Sequence, residues 1–280
     1  MYNGMVVSDF DGTLYDKLSG FAPQDLSTLN ALDHKYVRVL ATGRSLKSLY
    51  RVVDSSFPID YVVFSSGAGV YYLKDEELLR RVVFSAEQTE QLCRRLIDIE
   101  LDFMVHHPIP DNHYFHYYQG KVSCSRKDFL KRIELYQAYA IPFDWRPVLR
   151  LEATQFVLIT PDDQELLEKL KTEFQDQCSV IWSSSPLDGS SLWIELFPPG
   201  AHKGSGIAWL AERLEVAQEA TMAVGNDYND LHMLEWSSRG FVVANAPHEL
   251  QNRFTVVPQC GEGGFSEAVS RWLDGRDERL

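Results

Sequence analysis

Cysteine is scarce in this chain, with four in 280 residues. Cys93, Cys124, Cys178 and Cys260 are widely spaced and none sits in a C-x-x-C pair. That pattern argues against a disulfide-stapled secreted domain and for reduced thiols in a cytosolic protein. Positive charge is also short: 27 basic residues face 40 acidic ones, a formal net charge of -13. A general nucleic-acid or membrane-surface binder needs a basic footprint, so both classes are excluded. Small anionic substrates are not, because a metal ion and a few local cations reverse the field inside one cleft. No apolar run approaches the roughly 18 residues needed to span a bilayer. The N-terminal region lacks a basic stretch followed by an apolar signal segment. The expectation is a soluble, cytoplasmic protein. Internal repeats and low-complexity tracts are missing too, and no segment resembles a dedicated oligomer interface, so oligomeric state is left open.

An apolar fraction of 45% allows a sizeable core. Short β-branched runs at Met5–Ser8, Val37–Ala41, Tyr61–Ser65, Thr221–Val224 and Gly240–Val243 alternate with helix-period stripes. Leu26, Leu29 and Leu32 form one stripe; Ile207, Leu210, Ala211 and Leu214 form another. The alternation predicts an α/β fold, a Rossmann-like parallel sheet with helices on both faces. The middle of the chain reads as an inserted α+β module. Ser85-Ala86-Glu87-Gln88 has the form of a capping box, Thr160-Pro161 is expected to open a helix, and Phe156–Ile159, Val180–Trp182 and Leu192–Leu196 read as strands. The expected division is a core at 1–83 and 191–280 with an α/β cap domain at 84–190.

Ligands in such sheets bind beyond the carboxyl ends of the strands. Asp9-Phe10-Asp11-Gly12-Thr13-Leu14 stands there, directly after the first apolar run. Asp9 can attack an electrophile such as phosphorus, and Asp11 can protonate the leaving oxygen and then activate water. Repulsion between Asp9 and a phosphate calls for a divalent cation, and Mg²⁺ accepts one or two carboxylates plus waters. Thr42-Gly43-Arg44 follows a strand and could hold a phosphate with a hydroxyl and free N–H groups. Lys203 opens a predicted helix and could bind phosphate as a point charge. Gly225-Asn226-Asp227-Tyr228-Asn229-Asp230 packs two acids and two amides behind another strand; taken alone it also reads as a turn with a helix N-cap at Asn229 or Asp230.

In this order the four segments resemble the haloacid dehalogenase-like phosphohydrolases over nearly the whole chain. An insertion between the second and third segments is similar to the Cof-type subfamily. The resemblance implies that Asp9 is nucleophile and Mg²⁺ ligand, and that Asp11 is acid/base and ligates through its carbonyl. Thr42 and Lys203 would bind the phosphoryl group. The fourth motif would complete the metal site, with Asn229 and Asp230 in support. Candidate metal ligands are therefore Asp9, Asp11, Asn226, Asp227 and Asp230. Candidate substrate-binding residues are Thr42, Gly43, Arg44, Ser66, Lys203, Asn229, Asn245 and His113. Two positions depart from the family pattern: Asn226 stands where Asp is usual, so either Asn226 or Asp227 is the third ligand, and Ser66 stands where Asn is usual.

The segment from His106 to Tyr118 holds four of the eight histidines and four aromatics. Most of these side chains are expected to pack, with one or two, His113 among them, facing substrate; no Cys or acid pair supports a closed zinc site. Trp145, Arg146 and Arg150 are weaker candidates, an Arg being suited to a second acidic group on the substrate. The function expected is a Mg²⁺-dependent phosphatase for a small phosphorylated metabolite, sugar phosphates first, acting through an aspartyl-phosphate. The alternatives are a phosphomutase or phosphotransferase on the same fold, or a weakly catalytic phosphometabolite-binding regulator.

Overall fold

The structure is a computed structural model that describes residues 2–120, 126–161, 163–184 and 191–277. Cys124 and most of the turn-rich stretch before Ser191 lie outside the described residues. Among the described residues sixteen strands follow one another as β1 (Met5–Asp9), β2 (Tyr15–Asp16), β3 (Gly20–Phe21), β4 (Val37–Ala41), β5 (Tyr61–Phe64), β6 (Gly69–Tyr72), β7 (Glu77–Arg81) and β8 (Phe103–His106), then β9 (Phe115–Tyr118), β10 (Ala140–Pro142), β11 (Phe156–Pro161), β12 (Ser179–Ser184), β13 (Ser191–Phe197), β14 (Thr221–Gly225), β15 (Arg239–Val243) and β16 (Thr255–Val257).

The chain divides into two compact units, one comprising Met1–Arg44, Leu49–Arg80 and His202–Leu280, the other Ser45–Ser48 and Arg81–Ala201. The first unit is a mixed α/β fold on an eight-stranded sheet of order β16-β15-β14-β1-β4-β5-β6-β7. From β16 to β5 every pairing is parallel; β6 turns back antiparallel on β5. Strands buried on both faces read as continuous apolar runs, which is why Met5–Asp9 and Val37–Ala41 are buried at every residue. On one face Val7, Val39, Val63 and Ala223 pack against Ile207, Leu210 and Ala211 of the helix Lys203–Arg213. The helix Gly264–Asp277 packs on β14, β15 and β16 and against the helix Pro23–Ala31.

The second unit is built on a mixed six-stranded sheet of order β10-β9-β8-β11-β13-β12. The helix Ala86–Asp98 begins at Ser85 with both halves of a capping box, Gln88 N–H to Ser85 Oγ at 3.2 Å and Ser85 N–H to Gln88 Oε1 at 2.9 Å. Leu92, Cys93 and Leu96 of this helix join Leu167, Leu170 and Phe174 over one face of the sheet. Two expectations need correction. The strand β13 hydrogen-bonds between β11 and β12, so the core expected to resume at 191 resumes only at His202. Pro161 ends β11 instead of opening a helix; the helix is Gln164–Phe174, because the Asp163 carboxylate accepts the Leu166 N–H at 3.1 Å and caps it there.

Candidate active site

β1 lies between β4 and β14. The three strand ends therefore place Asp9, Thr42 and Gly225 side by side at the carboxyl edge of the first sheet. Asp9 is 4% exposed. Its Oδ1 accepts from Lys203 Nζ at 2.7 Å, and the same ammonium donates to Asp230 Oδ1 at 2.6 Å. Lys203 is fully buried, the third of its neighbours being Asn229 Oδ1 at 3.5 Å. Burial opposes the lysine's charge, but Asp230 and Asp9 outweigh it and hold its pKa above the ordinary range. Burial and then the Asp230 charge push the Asp9 carboxyl up, and Lys203 pulls it back only in part.

Lys203 reaches this depth because its helix starts close to the loop after β5. Ser65, Ser66 and Gly67 all have positive φ, at 47°, 50° and 97°. A Cβ at Gly67 would stand 2.1 Å from the His202 carbonyl oxygen, so only glycine lets this loop meet the helix start. Ser65-Ser66-Gly67-Ala68 resembles a subfamily signature in the sequence, but the role of Gly67 shows only with the helix it must touch. Ser66 itself is buried, and its N–H donates to the Thr42 carbonyl at 3.0 Å. Thr42 is buried as well, and its Oγ1 accepts the Arg44 N–H at 3.1 Å. A Cβ at Gly43 would lie 3.6 Å from Ser66 Oγ, so these residues form one tight corner.

Arg44 was expected to hold substrate; its guanidinium instead grips Asp11, Nε to Oδ2 at 2.7 Å and Nη2 to Oδ1 at 2.6 Å, while lying over the Phe10 ring at 4.9 Å. Such two-pronged pairs fix orientation as well as charge. Asn245 is likewise engaged within the protein. Its Nδ2 donates to the Gly12 carbonyl at 2.8 Å and its Oδ1 accepts the Cys260 N–H at 2.9 Å, so it ties the Asp11–Gly12 loop in place. His113 belongs to the second unit, where it packs against Tyr114 and Tyr139 at 4.3 and 5.0 Å. The other histidines of that segment pack too: His107 stacks on His116 at 5.2 Å, and His106 Nδ1 lies 2.8 Å from the Asn112 carbonyl. Trp145 sits under Arg94 at 4.6 Å, and Arg146 and Arg150 are exposed.

The 225–230 loop divides its oxygens. Asp230 Oδ2 accepts the N–H groups of Asn226 and Asp227 at 2.8 and 3.1 Å, while its Oδ1 holds Lys203. Asp227 caps the short turn Tyr228–Asp230 through the Tyr228 N–H at 2.7 Å, and Asp230 takes the expected N-cap position of the helix Leu231–Trp236 without a side-chain capping bond there. Asn226 turns the other way: the terminal atom of its side chain nearest the first loop lies 3.1 Å from Asp9 Oδ2 and 3.2 Å from the Asp11 carbonyl oxygen. Among the described residues no group of three or more His, Cys, Asp or Glu is arranged to hold a metal. A Mg²⁺ site need not be one, because amide and backbone carbonyl oxygens also ligate it. Oxygens at about 2.1 Å from an octahedral ion stand about 3 Å apart along an edge. By its hydrogen bonds the Asn226 atom nearest the first loop is the amide nitrogen, donating to Asp9, Thr13 and the Asp11 carbonyl; the amide turned over presents its carbonyl oxygen at the same spacing, so these residues fit the ion.

A buried carboxylate held by an ammonium thus stands at the end of a parallel strand, beside an acid paired with arginine. The chain belongs to the haloacid dehalogenase-like hydrolases, whose family model matches residues 6–263. It is 25% identical over 282 residues to an HMP-PP phosphatase of Klebsiella pneumoniae, covering 96% of this chain and 95% of that protein. It is 22% identical over 291 residues to the 5-amino-6-(5-phospho-D-ribitylamino)uracil phosphatase of Bacillus subtilis, covering 97% and 98%. Its fold matches a phosphatase of this superfamily from Bacteroides thetaiotaomicron with a TM-score of 0.76 at 18% identity, covering 96% and 94% of the two chains. No helix among the described residues is long and apolar enough to cross a membrane.

Proposed function

We propose that the protein is a Mg²⁺-dependent phosphatase that hydrolyses a small phosphorylated metabolite through an aspartyl-phosphate on Asp9. The observation that carries this reading is the division of labour at Asp9, with one oxygen held by Lys203 and the other 3.1 Å from the Asn226 side chain, which also lies 3.2 Å from the Asp11 carbonyl oxygen. Asp9 attacks phosphorus, the bond to the ester oxygen breaks, and Asp11 gives that oxygen its proton. Asp11 then takes a proton from water, the hydroxide attacks the acyl phosphate, and phosphate leaves with Asp9 restored. Lys203 and the Thr42–Arg44 corner offset phosphate charge and orient it. Arg44 orients the Asp11 carboxylate before reaction and gives up one of the two oxygens it grips to the proton that Asp11 carries. Asp9, the Asp11 carbonyl and Asn226 would hold Mg²⁺, which when bound neutralises charge between Asp9 and the phosphate. Asp227 and Asp230 support that loop.

Sugar phosphates are the first substrate class, followed by phosphorylated heterocycles of the kind named for the two relatives. A cytoplasmic location accords with the buried free thiols of Cys93 and Cys178. Asp9→Asn keeps the fold by circular dichroism and lowers phosphate release by at least about 10³-fold. Near-normal release from that variant would sink the covalent mechanism. Turnover in ¹⁸O-labelled water puts label in the phosphate; unlabelled phosphate transferred to an organic acceptor would identify a mutase or transferase instead.

A further inference from the structure

Lys203 is the first residue of its helix, so the start of that helix sets how far the ammonium reaches. The residue before it, His202, is the N-cap. Its ring nitrogen Nδ1 accepts the Ser205 N–H at 3.1 Å, and the Ser205 hydroxyl oxygen accepts the His202 N–H at 3.1 Å. Asparagine, aspartate and serine are the usual N-caps, and histidine is not among them. Here the imidazole is held where a cap must stand. It stacks on His232, with ring centroids 4.1 Å apart and planes 24° from parallel. His232 lies on the helix Leu231–Trp236, which follows Asp230 directly. A Cβ at Gly204 would come within 2.6 Å of the His232 carbonyl oxygen and 3.2 Å of His202 Nδ1, so the missing side chain lets the two helices close up beside the ring.

A cap must accept a hydrogen bond, which a neutral imidazole does and an imidazolium does not. Burial first, then His232 and Arg80, push the His202 pKa down to about 4, so the ring is neutral at pH 7. With Nδ1 accepting, the ring proton sits on Nε2. Arg80 faces the same turn and donates to the Ser205 carbonyl at 3.1 Å. We propose that His202 is a positioning residue for the phosphoryl-binding lysine: its imidazole caps the helix that Lys203 opens, and its stack on His232 ties that helix to the one that Asp230 begins. The Lys203–Asp230 pair, 2.6 Å long, is thereby held from outside the pair as well. Without the cap the first-turn N–H groups turn to water and the turn frays. The ammonium then loses its fixed reach to Asp9, now 2.7 Å.

The role assigned to Lys203 rests on the phosphatase reading, and two measurements made without turnover keep the two apart. Hydrogen exchange of the Ser205 amide in the full-length chain reads the cap. His202→Ala removes both acceptor and ring, and His202→Phe keeps a ring without an acceptor; each speeds that exchange by about fivefold, the effect of a lost N-cap. His202→Asn supplies an acceptor again and returns it to within about twofold of the parent. Calorimetric binding of inorganic phosphate, with Mg²⁺ present, reads Lys203. Affinity falls by about fivefold in His202→Ala and His202→Phe and recovers in His202→Asn. A residue that serves only folding would lower the melting temperature and leave the phosphate affinity of the folded protein unchanged. Unchanged affinity in His202→Ala, or a His202→Asn variant no better than His202→Phe, overturns the proposal. Phosphate binding in the expected order with no phosphate release from any ester would overturn the phosphatase reading and leave this assignment standing.

Discussion

Each unit of this protein buries a cation, and the two are treated in opposite ways. Lys203 has no exposed surface and is held by two carboxylates, Asp9 and Asp230, at 2.7 and 2.6 Å. Arg132 lies over the faces of Trp193 and Tyr136 at 4.6 and 5.3 Å, with the Glu195 charge nearby and no described carboxylate in hydrogen-bond contact. The first cation completes a network that orders Asp9, the proposed nucleophile. The second keeps its Nε–H without an acceptor and serves to pack its helix against the sheet. A buried charge met by carboxylates orders a site, whereas one met by ring faces mainly adds packing.

The comparison breaks hardest at Lys203. Lys203→Met leaves Asp9 and Asp230 buried without their counter-charge, and destabilises the protein by about 3–5 kcal/mol in urea titrations, with phosphatase turnover lost. If stability were unchanged, the network would contribute nothing to the fold. Gly67→Ala is next. The methyl group meets the His202 backbone, and the expected loss is about 3 kcal/mol, with phosphate affinity reduced because the Lys203 helix start is pushed away. An unaltered melting point would show that the loop relaxes freely.

Asn226→Asp sharpens the metal reading. It adds a charge at the third ligand, and Mg²⁺ binding measured by calorimetry tightens by about tenfold. An unchanged affinity would point to Asp227 instead. The smallest effect is on pH. Burial first, and the Arg132 charge second, push the His106 pKa down to about 3 from the ordinary 6.5. The folded chain therefore keeps His106 neutral, while the unfolded chain protonates it below pH 6.5. The stabilisation is complete above pH 6.5 and is lost as pH falls toward 3. His106→Gln flattens the melting temperature between pH 6.5 and 4.5; an equal acid slope in both proteins would assign the lability elsewhere.

Much of the first unit was legible because its signals are local. Val6-Val7 and Val39-Leu40 are apolar on consecutive residues, as strands covered on both faces must be. A carboxylate at the end of such a run has no packing role, which singled out Asp9. Ser85 and Gln88 announced their capping box at fixed spacing. Other residues misled for the same reason. Arg44 and Asn245 looked free to meet a substrate, because nothing in their neighbourhood names Asp11, Gly12 or Cys260 as partners. Pro161 matched a helix start, but Asp163 supplies the better cap two residues on. Arg132 carried no signal at all, being one basic residue on a basic helix.

By itself the sequence determined the alternation of strands and helices, the family, and the identity of the acids at the first strand end. These follow from period, burial and turn chemistry, which act over a few residues. Only the tertiary structure decided which charges meet. Lys203 is 194 residues from Asp9, Asn226 is 213 residues from Thr13, and Asn245 is 233 residues from Gly12. Parallel neighbours β4, β1 and β14 bring these positions together, because a sheet orders strands by packing and crossover geometry and not by their order along the chain.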